Sequence, residues 1–167
     1  MPEKDVTPLA WKIELLLMDV DGVLTDGRII YDNTGGEYKI FDAHDGYGIT
    51  RAQKKGMLFA IITARKSKAT KKRVEELRIT ELHQDAKDKL TIFNKLKSRH
   101  KLKSAEMCYI GDDEIDLGVL KAVGVSAAPC DAMSEVRSAV DYVTAAAGGR
   151  GAVRELIDCI LQAKGIL

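Results

Sequence analysis

"LLLMDVDGVLTDG", residues 15–27, runs an unbroken apolar stretch directly into two aspartates separated by one valine. Apolar residues in such a run read as a strand buried on both faces, the kind found inside a parallel sheet. Side chains two apart on a strand share a face, so Asp19 and Asp21 converge where this strand leaves its sheet. Like charges that close repel, and burying them is costly unless a cation or hydrogen-bond donors compensate. Taken alone, the pair reads equally well as a solvated acidic turn, because a short motif is a weak witness.

Outward from this strand, short apolar runs alternate with amphipathic segments. "MLFAIIT" (57–63), "MCYIGD" (107–112), "VSAAP" (125–129) and "DYVT" (141–144) read as strands. "GITRAQKKG" (48–56) reads as a helix closed by Gly56, and "SKATKKRVEELR" (67–78) as one capped by Ser67. "KDKLTIFNKLKSRH" (87–100), "DEIDLGVLKAVG" (113–124) and "AVRELIDCILQAK" (152–164) read as three more helices. Strand–helix alternation of this kind predicts an α/β fold, a doubly wound parallel sheet covered on both faces. One segment breaks the rhythm. "GRIIYDNTGGEYKIFD" (27–42) alternates on either side of the turn signal "DNTGG" and predicts a protruding β-hairpin.

Bulk composition narrows the function classes. A chain of 167 residues suits a single domain, 1–167, with a proper core. It is 46% hydrophobic and 31% charged with a formal net charge of +1, so no global field draws in nucleic acid or an anionic membrane. Its apolar runs are strand-sized, far short of a membrane span. The start "MPEKDVTPLAWK" carries acids and no apolar core, so it reads as a loose leader rather than a signal peptide. Cys108, Cys130 and Cys159 show no ligand or disulfide spacing, which together with the missing signals predicts a cytoplasmic protein. The basic run "ARKSKATKKR" reads as a solvated helix face that includes Lys66, Lys71, Lys72 and Arg73. His83 and His100 read as ordinary surface or packing residues.

Ligands of doubly wound sheets bind beyond the carboxyl ends of the strands. Asp19 and Asp21 end the first strand there, Thr63 the second, and Asp112 and Asp113 a later one, with Asp116 a turn further on and Lys89 opening a helix between them. Each has a bland reading as a turn residue, a surface lysine or acids at a helix start. Together they supply what phosphoryl transfer requires: a nucleophile, a proton donor, a metal site and fixed positive charge. Ligands that are all oxygen suit Mg²⁺, and a dication between them makes the two converging carboxylates tolerable.

In this order, D-x-D-G, Thr, Lys and G-D-D-x-x-D resemble the haloacid dehalogenase superfamily. "DVDGVLTDG", "DGYGI" (45–49), "IITAR" (61–65), "DKL" (88–90), "YIGDDEID" (109–116) and the tail "AGGRGAVRE" (147–155) further resemble its 3-deoxy-D-manno-octulosonate 8-phosphate phosphatases, over nearly the whole chain. The resemblance implies a small Mg²⁺-dependent homotetrameric enzyme with no cap domain, acting in lipopolysaccharide precursor synthesis. It implies Asp19 as nucleophile and Asp21 as general acid, with Mg²⁺ held by Asp19, the backbone carbonyl of Asp21 and Asp112. Asp113 and Asp116 would support those ligands from behind, and Thr63 and Lys89 would bind phosphoryl oxygens. Arg65, Lys68 and Arg150 would contact the sugar acid, Arg150 reaching a neighbouring subunit's site. The chain departs from the family at Ala64, where relatives often carry glycine, and at His44, where they carry arginine. The second change bears on substrate rather than chemistry. Three alternatives compete: a phosphatase for a nine-carbon sugar-acid 9-phosphate, a phospho-receiver domain and a non-catalytic oligomerisation module. Receivers carry adjacent acids after the first strand, and the non-catalytic modules have usually lost acids that are all present here.

Overall fold

A computed structural model describes residues 7–167. At its centre is a sheet of six strands: β1 (Leu15–Met18), β4 (Leu58–Ile62), β5 (Glu81–His83), β6 (Met107–Ile110), β7 (Val125–Ala128) and β8 (Tyr142–Val143). Their order is β5-β4-β1-β6-β7-β8 and every pairing is parallel. β1 sits between β4 and β6, with Leu15 opposite both Leu58 and Met107. The chain winds outward on one side of β1 and then on the other, so the order reverses at its carboxyl end, the usual place for a ligand site.

Alternate residues of each strand feed two cores. Leu16 and Met18 face one side with Phe59, Ile61, Cys108 and Ile110, under α2 (Ala43–Gln53), α3 (Lys68–Glu76) and α7 (Ala152–Ala163). Leu15 and Leu17 face the other with Ala60, Ile62 and Tyr109, under α4 (Lys89–His100), α5 (Leu117–Leu120) and α6 (Ser134–Ala139). Burial on both faces is why β1 carries no polar alternation. The doubly wound α/β expectation holds, and the hairpin is present as β2 (Ile30–Tyr31) and β3 (Glu37–Tyr38). Asp32 ties its turn, accepting hydrogen bonds from the backbone N–H of Thr34 and Gly36.

Several expectations need correction. α2 begins at Ala43, capped by Asp42, rather than at Gly48. The helix expected over 113–124 is a single 3₁₀ turn, Glu114–Asp116, followed by the four-residue α5. β5 and α6 fall where no element was expected. Of the leader, residues 1–6 lie outside the described residues, while Thr7–Ala10 form a short helix, α1, with Ala10 in the core. Arg73 is not simply solvated: it donates to the Asp42 carbonyl and lies over the Phe41 ring. Among the described residues, no helix is long and apolar enough to cross a membrane.

Candidate active site

The carboxyl ends of β1, β4 and β6 open onto a cavity of about 210 Å³ lined by Asp19, Asp21, Gly27, Thr63, Ala64, Arg65, Asp112, Asp113 and Ile115. Asp19 follows β1 directly and is buried; its Oδ1 accepts from the Val20 N–H at 2.7 Å. Thr63 follows β4, is likewise buried, and donates its N–H to the His83 carbonyl.

Lys89 enters from α4, whose first turn is capped by Asp88 accepting from the Thr91 N–H. Its side chain is 1% exposed, and the ammonium lies 2.8 Å from Asp19 Oδ2 and 2.7 Å from Asp116 Oδ1. Burial works to lower the Lys89 pKa, but Asp19 and Asp116 outweigh it and the net shift is upward. The lysine therefore stays charged. Asp116 uses both oxygens. Oδ1 accepts from Lys89 and the Tyr109 hydroxyl, while Oδ2 accepts from the backbone N–H groups of Asp112 and Asp113. Those bonds use up its acceptor sites, so Asp116 braces the loop and the lysine and has no oxygen left over for a metal.

Asp19, Asp112 and Asp116 each place a carboxylate oxygen within 4.8 Å of the others. Asp112 is pushed up to about 7 by burial and by the neighbouring charges of Asp19 and Asp116. Asp19 is pushed up to about 6, mainly by burial, although Lys89 pulls it down. Crowded acids that one lysine does not fully balance, all offering hard oxygens, fit a divalent cation such as Mg²⁺. The fit is shaped by Gly22, which has φ +85° and where a Cβ would come 2.0 Å from Asp112 Oδ2. Asp19 and Asp112 are the side chains that could hold such an ion. Asp113 is exposed and its Oδ1 accepts from the Glu114 N–H.

Asp21 faces the same cavity in a different environment. Lys39, from the stretch after β3, donates to Asp21 Oδ1 and lies 3.3 Å from Glu37 Oε1. Arg65 places Nε 3.6 Å from Asp21 Oδ2 and donates through Nη2 to Glu37 Oε2 and the Tyr31 hydroxyl. Sequence reading missed Lys39, Glu37 and Tyr31. The available signal was a Glu and a Lys two apart, hence on one face, in an otherwise apolar hairpin.

Two residues expected to contact substrate lie outside the lining of this cavity, one of them, Arg150, expected at a neighbouring subunit's site. Lys68 opens α3 at the surface, outside the cavity lining. Arg150 is exposed and also outside that lining, close enough to Asp26 to lower its pKa, an effect secondary to the Arg28 hydrogen bonds. The tail glycines pack on their own chain's turn after β1. Gly149 donates its N–H to the Val23 carbonyl, and a Cβ on Gly148 would come 1.9 Å from the Gly22 carbonyl oxygen. His44 is exposed beside Asp42, and His83 and His100 both contact Glu81 rather than standing apart.

A Rossmann-like sheet with an aspartate pair after its central strand, a buried lysine and an acidic loop after the next strand defines a haloacid dehalogenase-like hydrolase. The sequence pattern of haloacid dehalogenase-like hydrolases matches residues 79–156. The 3-deoxy-D-manno-octulosonate 8-phosphate phosphatase of Escherichia coli K12 is 45% identical over 163 residues, 98% of this chain and 87% of that protein. The crystal structure of the Yersinia pestis phosphatase of the same name superposes with a TM-score of 0.96 at 43% identity, covering 98% of this chain and 88% of the other. The Moraxella catarrhalis phosphatase, solved with magnesium ion, phosphate ion and a KDO molecule, gives 0.94 at 37% identity, covering 97% and 93%. The chain belongs to the 3-deoxy-D-manno-octulosonate 8-phosphate phosphatase family of the haloacid dehalogenase superfamily.

Proposed function

We propose that this chain, acting as one domain over residues 1–167, hydrolyses 3-deoxy-D-manno-octulosonate 8-phosphate to the free sugar acid and phosphate. The reaction requires Mg²⁺ and serves lipopolysaccharide precursor synthesis. The observation that carries the reading is Asp19 held 2.8 Å from the Lys89 ammonium at the mouth of β1, in a chain 45% identical to a named phosphatase for that substrate. Lys89 orients Asp19 so that one oxygen attacks phosphorus and forms an aspartyl-phosphate as the ester P–O bond breaks. Asp21 gives its proton to the departing sugar oxygen. It then takes a proton from water, whose oxygen attacks phosphorus, releasing phosphate and restoring Asp19. Thr63 and Lys89 hold the phosphoryl oxygens, and bound Mg²⁺ supplies the charge that lets a phosphate dianion approach two carboxylates.

Substrate choice then rests on residues around an open site. Arg65 lines the cavity and is placed for the sugar carboxylate, while Lys68 is close behind it in sequence. The hairpin supports assembly as a homotetramer: Ile29, Ile30, Tyr31, Tyr38 and Ile40 are all exposed on it, an apolar surface a lone hairpin does not keep in water. Arg150, exposed and outside its own cavity, would reach a neighbour's site in such an assembly. We place the enzyme in the cytoplasm.

The test is phosphate release from a panel of sugar-acid phosphates with Mg²⁺ and with EDTA. Fastest turnover of the eight-carbon 8-phosphate, abolished by EDTA, is expected; a preference for a nine-carbon 9-phosphate would reassign the substrate. Asp19→Asn should lower turnover at least a hundredfold with the fold intact.

A further inference from the structure

We propose that Lys39 is a positioning residue of the reaction, holding the Asp21 carboxylate in register with the leaving group from the far arm of the hairpin. The inference rests on the role given to Asp21 above. Lys39 follows β3, yet its side chain is only 2% exposed, because it points back into the site instead of out with Tyr38 and Ile40. A lysine that loses its hydration this thoroughly must be matched by acids. Its ammonium donates to Asp21 Oδ1 and lies 3.3 Å from Glu37 Oε1.

The consequence for Asp21 is geometric. With Oδ1 anchored, Oδ2 is the oxygen left to face the leaving group; its neighbour, Arg65 Nε, stands 3.6 Å away, beyond hydrogen-bond reach. Asp21 follows β1 by three residues and sits on a turn, so β1 itself does not set its rotamer. Lys39 does. Glu37 takes a share of the ammonium charge and binds Arg65 as well, making Asp21, Glu37, Lys39 and Arg65 two acids against two bases. The network stitches the hairpin to the catalytic turn and to the loop after β4. Seating of the hairpin and aim of the acid therefore become one event.

Leaving groups separate this role from a merely structural one. A sugar alkoxide needs a proton as it departs, whereas p-nitrophenolate does not, so a lysine acting through Asp21 matters chiefly for the sugar ester. Steady-state kinetics with Mg²⁺ would compare Lys39→Met, Asp21→Asn and the double variant on 3-deoxy-D-manno-octulosonate 8-phosphate and on p-nitrophenyl phosphate. Lys39→Met should lower kcat on the sugar phosphate by about tenfold or more, and on p-nitrophenyl phosphate by clearly less. The double variant should be no slower than Asp21→Asn alone, since the lysine then has nothing to position. Equal losses on both substrates, or a double variant slowed by the product of the single factors, would overturn the proposal while leaving Asp21 as the acid. Equal losses for Asp21→Asn itself would remove the acid role and the Lys39 proposal with it. If Lys39→Met does not fold, Lys39→Ala, which also removes the donor but leaves room for water, carries the same comparison.

Discussion

Replacing Lys89 by methionine tests whether the centre of the site is an electrostatic compromise resolved by one cation. The side chain is 1% exposed, and it stands against Asp19 and Asp116, 8% and 0% exposed. Methionine fills much the same space without charge, so the variant keeps packing and leaves two buried carboxylates facing each other. Removing one partner of a buried ion pair typically costs about 3–5 kcal/mol. For a chain of this size each kcal/mol lowers Tm by roughly 2–4 °C, so a fall of roughly 6–20 °C is expected by thermal melting in EDTA. Adding Asp116→Asn should recover a good part of it. The amide oxygen can accept from the Asp112 and Asp113 N–H groups as Oδ2 does now, and the NH₂ group faces the place the ammonium left. Activity should not return with stability, because the phosphoryl oxygens still lack their positive partner. A single variant melting within about 2 °C of the parent would refute the reasoning. So would a stabilised double variant that hydrolyses its substrate normally, which would reduce Lys89 to scaffolding.

Gly22→Ala should raise the Mg²⁺ concentration needed for half-maximal rate by about tenfold or more, because its Cβ would displace the Asp112 carboxylate. An unchanged requirement in a metal titration would mean that Asp112 is not a ligand. Arg150→Ala should raise KM for the sugar-acid phosphate severalfold while leaving p-nitrophenyl phosphate hydrolysis nearly unchanged; light scattering showing a monomer would remove the basis for that effect. Burial tends to raise the pKa of Glu81, but hydrogen bonds from Arg99, His83 and His100 bring it below 4.5. Its ionised form thus stabilises the fold above that value and the gain fades as pH falls through the folded pKa. Glu81→Gln should cost about 1–2 kcal/mol at neutral pH and flatten the acid limb of a stability–pH curve, which chemical denaturation would show.

What sequence could and could not show follows from where each residue finds its partners. β1 was legible because a strand covered on both faces must be apolar throughout, and Asp19 and Asp21 stood out as the break in that rule. β5 was not, because Glu81 opens an edge strand with a charge whose acceptability depends on Arg99 and His100, eighteen and nineteen residues away. The start of α2 was hidden by Gly46 and Gly48, poor helix formers by local propensity. In the fold two arginines occupy the space beside them: a Cβ on Gly46 would come 2.3 Å from the Arg73 guanidinium, and one on Gly48 2.8 Å from Arg154 Cδ. The arginines of α3 and α7 thus lie across α2 at its glycines, and α7 carries the tail loop that rests on the turn after β1. Lys39 belongs to the same class. Nothing next to it distinguishes it from a solubilising lysine on an edge strand, the ordinary use of lysine in such a place. Only the return of the hairpin across the site gives it Asp21 as a partner, and that return is fixed by the Asp32 turn and by Glu37 meeting Arg65. The candidate site residues are written after the strands, Asp19 and Asp21 after β1, Thr63 after β4 and Asp112 after β6, while the groups that aim them come from contacts between segments distant in sequence. A variant that leaves every motif intact but unseats the hairpin should therefore lose acid catalysis as surely as one that lacks Asp21.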